Sequence, residues 1–183
     1  EGLTGGNVGG IGDVAGEVVS ASGNISGLFQ VGADSGNVSY GFSPDLAPLT
    51  ALNLSSGGIA LTYSVLGDTL TASAGLTPVF SLTVDASTGA YSFTLLQHLD
   101  HASGLNENDI NIDFGAILQV TDSDGDTAVA GGALIVTVND DTPIASGNTI
   151  AVTVDEEGLT GGNVGGIGDV AGEVVSASGN ISG

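Results

Sequence analysis

The amino-acid sequence predicts an all-β fold, an antiparallel β-sandwich, and three observations support this prediction. Short apolar segments, about eight in number, are separated by turn signals roughly every 8–12 residues. Within the segments apolar and polar residues alternate, as in half-buried strands, and none has the period of a helix. Glycine is abundant at 32 residues, whereas proline is scarce at 4. Together these features favour short strands joined by glycine-rich turns.

The chain contains a repeat of domain size. Residues Glu157 to Gly183 repeat Glu1 to Gly27 without a mismatch, so the period is 157 − 1 = 156 residues. A period of this length is typical of a folded domain and too long for one unit of a solenoid. We therefore expect a tandem array, in which residues 1–141 form most of one repeat and residues 142–183 begin the next. Neighbouring identical repeats of the same chain are the expected partners.

The predicted strands follow one another from residue 18 onward. They cover residues 18–32 with a break at Gly23-Asn24, then 38–42, 59–65, 69–74, 79–84, 90–96, 110–120, 127–138 and, in the next copy, 149–154. Loops are expected at residues 1–17, 43–50 and 97–109, and no helix is predicted. Gly131-Gly132 interrupts the strand at 127–138, which indicates a β-bulge. The whole pattern favours a sandwich of the Ig-like, Greek-key type.

The hairpin between residues 79–84 and 90–96 carries the clearest turn signal. Asp85 is suited to cap the turn with its side chain, and Gly89 is suited to its left-handed position. Tyr91 and Phe93 are two positions apart on the second strand, so both are expected to face the core.

The charge of the chain is extreme, with 21 acidic residues, no Lys, no Arg and a formal net charge of −21. We do not expect binding to nucleic acid or to anionic lipid, because the chain has no Lys or Arg to neutralise phosphate. No uninterrupted apolar run is long enough to cross a membrane as a helix, so direct insertion is not expected. Clustered carboxylates without cationic partners must be hydrated, protonated or metal-bound, and Ca²⁺ is the simplest expectation.

The sharpest acidic motif is Asp122-Ser123-Asp124-Gly125-Asp126. Carboxylates at alternate positions resemble the first, third and fifth positions of an EF-hand loop. The remainder of an EF-hand is absent, because glycine comes early and the twelfth position is Ala133. A turn can still bring Asp122, Asp124 and Asp126 onto one calcium ion, with other loops completing the shell. The alternative is a solvated acidic turn.

A second acidic set is formed by Asp140 and Asp141 with Asp155, Glu156 and Glu157. In an Ig-like array the loop between the last two strands lies at the end where the chain enters the domain. The aspartates of that loop are then expected to face Asp140 and Asp141 of the preceding copy, with Asp155 to Glu157 at the far end. Calcium shared across this seam would stiffen the array, whereas the alternative is a flexible acidic linker kept open by repulsion.

Catalysis is not expected from this sequence. His98 and His101 flank Asp100, but the spacing is not a standard zinc pattern and no Cys is present, which favours a structural loop. No Gly-x-Ser-x-Gly elbow or plausible Ser/His/Asp set is found, and no Lys or Arg is available to bind an oxyanion.

Several of these motifs together resemble one known family. They are Asp155-Glu156-Glu157-Gly158-Leu159, Gly32-Ala33-Asp34, the run from Thr88 to Leu95, Leu99-Asp100-His101, the run from Val120 to Thr127 and the run from Val138 to Pro143. Spread over the whole period, they resemble the tandem Ig-like extender repeats of giant RTX adhesins exported by type I secretion. The resemblance implies calcium at the domain joints, extracellular folding on a bacterial cell surface, and a spacer that holds a distal binding domain away from the cell in biofilms.

The resemblance carries over most directly for Asp122, Asp124 and Asp126. The alternative function is a module of the adhesin that itself binds a carbohydrate or a protein, but an aromatic content of 4% disfavours an aromatic binding platform. The position of the first strand stays open, because it can come from a neighbouring chain or the domain can begin near Glu17.

Overall fold

The structure is a computed structural model that describes residues 2–9, 13, 16, 18–33, 35–104, 107–163, 165–167 and 176–179. The chain divides into two compact units, Glu1–Ile144 and Ala145–Gly183. The division falls after residue 144, whereas the sequence predicted it after residue 141. Glu1, residues 10–12, 14, 15 and 17 of the predicted loop and Asp34 of the resembling motifs lie outside the described residues.

The regular secondary structure in the described part of the first unit is almost entirely β-strand. They are β1 (Ser20–Asn24), β2 (Ser39–Phe42), β3 (Ser55–Ser56), β4 (Ile59–Leu66), β5 (Thr69–Ala74), β6 (Thr77–Val84), β7 (Ala90–Leu95), β8 (Asp109–Asp113), β9 (Leu118–Thr121), β10 (Thr127–Val129) and β11 (Ile135–Asn139). One short helix, α1 (Ala47–Thr50), and 3-10 turns at Ser26–Leu28, Ser35–Asn37 and Gly115–Ile117 complete it.

The strands form three antiparallel groups. The largest sheet has the order β1-β7-β6-β5-β4-β3, and the smaller groups have the orders β10-β9-β2 and β11-β8. In the hairpin β6–β7, Asp85 Oδ1 accepts hydrogen bonds from the amides of Ser87 and Thr88 at 3.0 and 2.8 Å. Gly89 has a φ of 71°. The predicted capping aspartate and left-handed glycine are therefore confirmed.

The core lies between the large sheet and the layer that contains β8 and β9. Phe80 on β6 and Phe93 on β7 are buried, with ring centroids 5.5 Å apart. Phe114, from the opposite layer, packs 6.0 Å from each of them. Tyr91 is half-buried against the same cluster, as expected. This packing of one sheet on another confirms the predicted all-β sandwich.

A long hairpin runs from Asp109 to Asn139. The register that pairs Thr121 with Thr127 continues through the bond from the amide of Ala130 to the Leu118 carbonyl. It then passes through the bond from the amide of Phe114 to the Leu134 carbonyl and reaches the pair Asp109 and Asn139. The prediction of a bulge at Gly131-Gly132 is wrong. The 3-10 turn Gly115–Ile117 lies opposite, so both strands leave the ladder for the same number of residues and the register is unchanged.

Three other sequence predictions are corrected. Residues 47–50 of the predicted loop form α1, because Asp45 Oδ1 accepts the amide of Ala47 at 2.9 Å and Leu49 is fully buried. The segment 18–32 yields only β1 and a 3-10 turn, since Asn24 Oδ1 accepts the amide of Ser26 and turns the chain. Residues 149–154 are not a strand, because the described part of the second unit contains no strand with which they can pair.

Among the described residues, helices are too short and too polar for any to span a lipid bilayer.

Candidate metal centre

The acidic loop 122–126 is the tip of the long hairpin, between β9 and β10. Asp122 is half-buried, whereas Asp124 and Asp126 are exposed. Gly125 adopts a φ of 98°, a conformation that strongly favours glycine, and this lets the chain reverse within five residues. The hairpin geometry therefore depends on glycine at the fourth position of the motif.

Asp122 organises this loop through one oxygen atom. Its Oδ1 accepts hydrogen bonds from the amides of Asp124, Gly125 and Asp126 at 3.3, 3.1 and 2.9 Å. Its own amide donates to the carbonyl oxygen of Asp126 at 3.0 Å. Asp122 therefore shapes the turn through its hydrogen bonds and also places a carboxylate at the base of the turn. The side chains of Asp124 and Asp126 contribute less to the shape of the turn.

The three carboxylates converge on one point. Each of Asp122, Asp124 and Asp126 offers an oxygen, and these oxygens lie within 4.8 Å of one another. Among the described residues no other set of three His, Cys, Asp or Glu side chains converges in this way. Ca²⁺ is bound by about six to eight oxygens and tolerates irregular geometry. The donor set fits this ion, and the loop would supply part of its coordination shell.

The electrostatics of the loop favour a cation. A hydrogen bond with the Asp124 side chain, followed by those from the backbone amides, lowers the pKa of Asp122 below its ordinary value. Like charges at this separation repel one another, and the chain has no Lys or Arg to compensate them.

Asp140 and Asp141 lie at the opposite end of the long hairpin, directly after β11. The amide of Asp140 donates to the Asn108 carbonyl at 3.0 Å. The carboxylate of Asp141 accepts the amide of Asn7, with 3.2 Å to each oxygen, and the Asn7 side chain donates to the Thr142 carbonyl at 3.0 Å. The linker is therefore fastened to the glycine-rich segment at the start of its own unit.

Sequence reasoning missed four further oxygen-bearing residues at this end. Asn139 donates to Asp109 Oδ1 at 2.9 Å, and Thr142 donates to Glu107 Oε1 at 3.1 Å. The remaining oxygens, Glu107 Oε2 and Asn139 Oδ1, are buried without a hydrogen-bond partner. Such oxygens are suited to a hard cation or to water. The only available signal is the polar run Glu107-Asn108-Asp109 at the end of the predicted loop 97–109.

Asp155, Glu156 and Glu157 belong to the second unit. Asp155 precedes the 3-10 turn Glu156–Gly158, and its Oδ1 accepts the amide of Glu157 at 2.8 Å. Within that unit the three acids therefore share a local turn, in which Asp155 serves as the cap.

The segment around His98 and His101 contains Asp100, which makes structural hydrogen bonds. Asp100 accepts hydrogen bonds from the Ser55 hydroxyl at 2.6 Å and from the amides of Gly57 and Gly58 at 2.8 Å each. These donors, the Ser55 hydroxyl first, lower the pKa of Asp100. The neighbouring Leu99 is buried in the core. Asp100 thereby fixes the β3–β4 turn to the chain that follows β7.

The fold and the acidic loop together define an all-β sandwich domain whose hairpin tip carries a candidate oxygen-donor metal centre. Residues 10–134 match the family described as Domain of unknown function (DUF5801). This match covers more than half of the chain, which therefore belongs to that family. Neither the curated proteins nor the solved structures contain a match.

Proposed function

We propose that this domain is a calcium-stabilised structural extender of a bacterial surface adhesin. Successive copies would form a stiff extracellular rod that projects distal ligand-binding domains away from the cell. The proposal rests on the resemblance to extender repeats, on the 156-residue period and on the acidic loop. It assigns the domain a structural role without catalysis.

The observation that carries the proposal is the convergence of Asp122, Asp124 and Asp126 within 4.8 Å in a chain without Lys or Arg. These aspartates form the tip of the long hairpin, whereas Asp140 and Asp141 follow its other end. The hairpin is roughly 35 Å long at about 3.3 Å per strand residue and about 2 Å per 3-10 residue. One repeat therefore carries an acidic group at each end of this hairpin.

This arrangement suits a head-to-tail array. The hairpin tip of one repeat would approach the linker of the repeat before it, and a calcium ion at that seam would draw ligands from both. Asp122, Asp124 and Asp126 would hold the ion from one side, and Asp140 and Asp141 from the other. Bound calcium would replace repulsion between the two acidic ends with shared coordination, which would stiffen the joint.

The first test is thermal unfolding of the 183-residue chain in chelator, in Ca²⁺ and in Mg²⁺. Calcium at about one hundred times its dissociation constant should stabilise the fold by about 2.7 kcal/mol. Replacing Asp124 and Asp126 together by Asn should remove most of this gain, because both are candidate ligands while Asp122 still shapes the turn. Mg²⁺ should stabilise less, since it dehydrates reluctantly and requires a stricter geometry.

The matched control is Asp68→Asn, which removes one negative charge from the exposed β4–β5 turn. This variant should keep the full response to calcium. A chain whose melting temperature is the same in chelator and in calcium would refute the calcium part of the proposal. The calcium-dependent stabilisation can also be compared per charge removed. If Asp68→Asn lowers it as much as the double variant does, calcium acts only as a general counterion.

A further inference from the structure

A groove opens on one side of the first unit between the two layers of the sandwich. Its volume is about 820 Å³. It is lined by residues 2–6, by residues 18–21 at the start of β1, by residues 93–99 and 101 at the end of β7 and beyond it, and by residues 136–141 of β11 and the linker. The groove therefore lies between an edge strand of each layer.

In the part of the chain that the structure describes, β1 and β11 are each the edge strand of a sheet. Among the described residues β1 pairs only with β7, and β11 pairs only with β8. All five residues of β1 are exposed, although it belongs to a sheet whose inner face covers the core. Val18, just before β1, lines the groove and is 75% exposed, and Val136 of β11 lines it and is half-buried. An open edge with uncovered apolar side chains is a template for an additional strand.

The second unit contains a segment with the character of such a strand. Residues 149–154, Thr-Ile-Ala-Val-Thr-Val, alternate strictly, and their apolar side chains Ile150, Val152 and Val154 are 69%, 70% and 55% exposed. Among the described residues the segment pairs with no strand. Six residues in a strand span about 20 Å, slightly more than the five residues of β11.

The repeat connects the segment to the groove. Residues 158–162 have the same sequence as residues 2–6, which line the groove. The segment ends at Val154, only a few residues before Gly158. A strand at this point of the period would therefore lie next to the residues that form one wall of the groove.

We propose that the groove between β1 and β11 binds the segment Thr149–Val154 of a second copy of this chain as an added strand. Its backbone would pair with the open edge of β11 or β1, and Ile150, Val152 and Val154 would cover the apolar residues that line the groove. The same addition would join successive repeats in an array. Like the proposed function, this inference requires that copies of the domain contact one another, but it requires no calcium.

The test measures self-association of the full 183-residue chain by sedimentation equilibrium, in chelator and in calcium. The wild-type chain should associate reversibly in both. Val152→Asp should weaken association by about tenfold or more, because it places a charge in the apolar groove. Ala21→Glu should have the same effect from the acceptor side, since Ala21 is exposed on β1 and lines the groove.

Ile144→Asp is the matched control, because Ile144 is 49% exposed and lies outside the donated segment. It should associate like the wild type. Hydrogen exchange of the amides of residues 149–154 should slow as the wild-type chain associates.

Three results would overturn the proposal. One is that the wild-type chain stays monomeric at all concentrations, whether the amide hydrogens of residues 149–154 exchange rapidly or are protected within the same chain. Another is association that Val152→Asp leaves unchanged. The third is association that occurs only in calcium and is lost when Asp124 and Asp126 are replaced by Asn, which would support the acidic seam and exclude strand donation.

Discussion

Gly115 lies so close to the carbonyl oxygen of Gly132 that a Cβ at position 115 would overlap it. The two glycines belong to the two interruptions of the long hairpin, the 3-10 turn on one strand and the glycine pair on the other. Their contact lets both strands leave the ladder together and re-enter it without a change of register.

Gly115→Ala should therefore destabilise the fold by about 1–3 kcal/mol, because the backbone at Gly132 and Ala133 has to move. Urea unfolding measures this loss. Gly131→Ala is the control within the same interruption, since nothing lies within 4 Å of a Cβ built there. Equal stability of the two variants would contradict the close packing.

Phe114→Ala should cost about 3–5 kcal/mol, because the Phe114 ring packs on Phe80 and Phe93 of the opposite layer and its removal leaves a cavity. Leu76→Ala should change the free energy of unfolding by less than about 0.5 kcal/mol, since Leu76 is fully exposed at the β5–β6 turn. Denaturant midpoints of the two variants provide the comparison. A small loss for Phe114→Ala would mean that the layers are joined elsewhere.

The pH dependence of stability should include a contribution from Asp85. Hydrogen bonds from the side chains of Ser87 and Thr88, and then from their amides, lower its pKa to about 2. The folded pKa lies below the unfolded value of about 3.9, so the contribution is complete above about pH 4 and is lost as the pH falls through about 2.

The melting temperatures of wild type and Asp85→Asn should differ above pH 4 and converge between about pH 4 and 2. NMR titration of the Asp85 carboxyl tests the cause directly. An ordinary pKa for this group, or a difference that does not shrink in acid, would exclude the capping role.

Asp100→Ala should loosen the β3–β4 turn, because three donors from Ser55, Gly57 and Gly58 lose their acceptor. Hydrogen exchange at the amides of Gly57 and Gly58 should become faster, and the melting temperature should fall by a few degrees. Asp45→Ala provides a comparison, since Asp45 accepts a bond near α1 and should leave exchange at the two glycines unchanged.

The hairpins were predictable from sequence because their signals are local. Asp85 and Gly89 define the turn between β6 and β7 within five residues, and alternation places Tyr91 and Phe93 on the core face. The Asp122 loop was predictable for the same reason, because alternate carboxylates around Gly125 come together in any tight turn.

The rest depends on contacts between residues distant in sequence. Gly131-Gly132 resembles a bulge until the 3-10 turn at Gly115 is placed opposite it. Glu107 and Asp109 gain their importance from Asn139 and Thr142, more than 25 residues away in sequence. Residues 149–154 alternate as strongly as any strand in the chain, but alternation specifies only a suitable surface and supplies no partner.

The placement of β1 and β11 in different layers determines how the unit would carry mechanical load. The chain enters through β1 and leaves through β11, and no hydrogen-bond ladder connects these strands in the described residues. A force that pulls the two ends apart would first load the hydrogen bonds that join Asn7 to Asp141 and Thr142, and would then pass through the aromatic contacts between the layers. Aromatic contacts of this kind can separate one after another under force. A strand bound between β1 and β11 would instead load many backbone hydrogen bonds at once, in shear, before the unit could open.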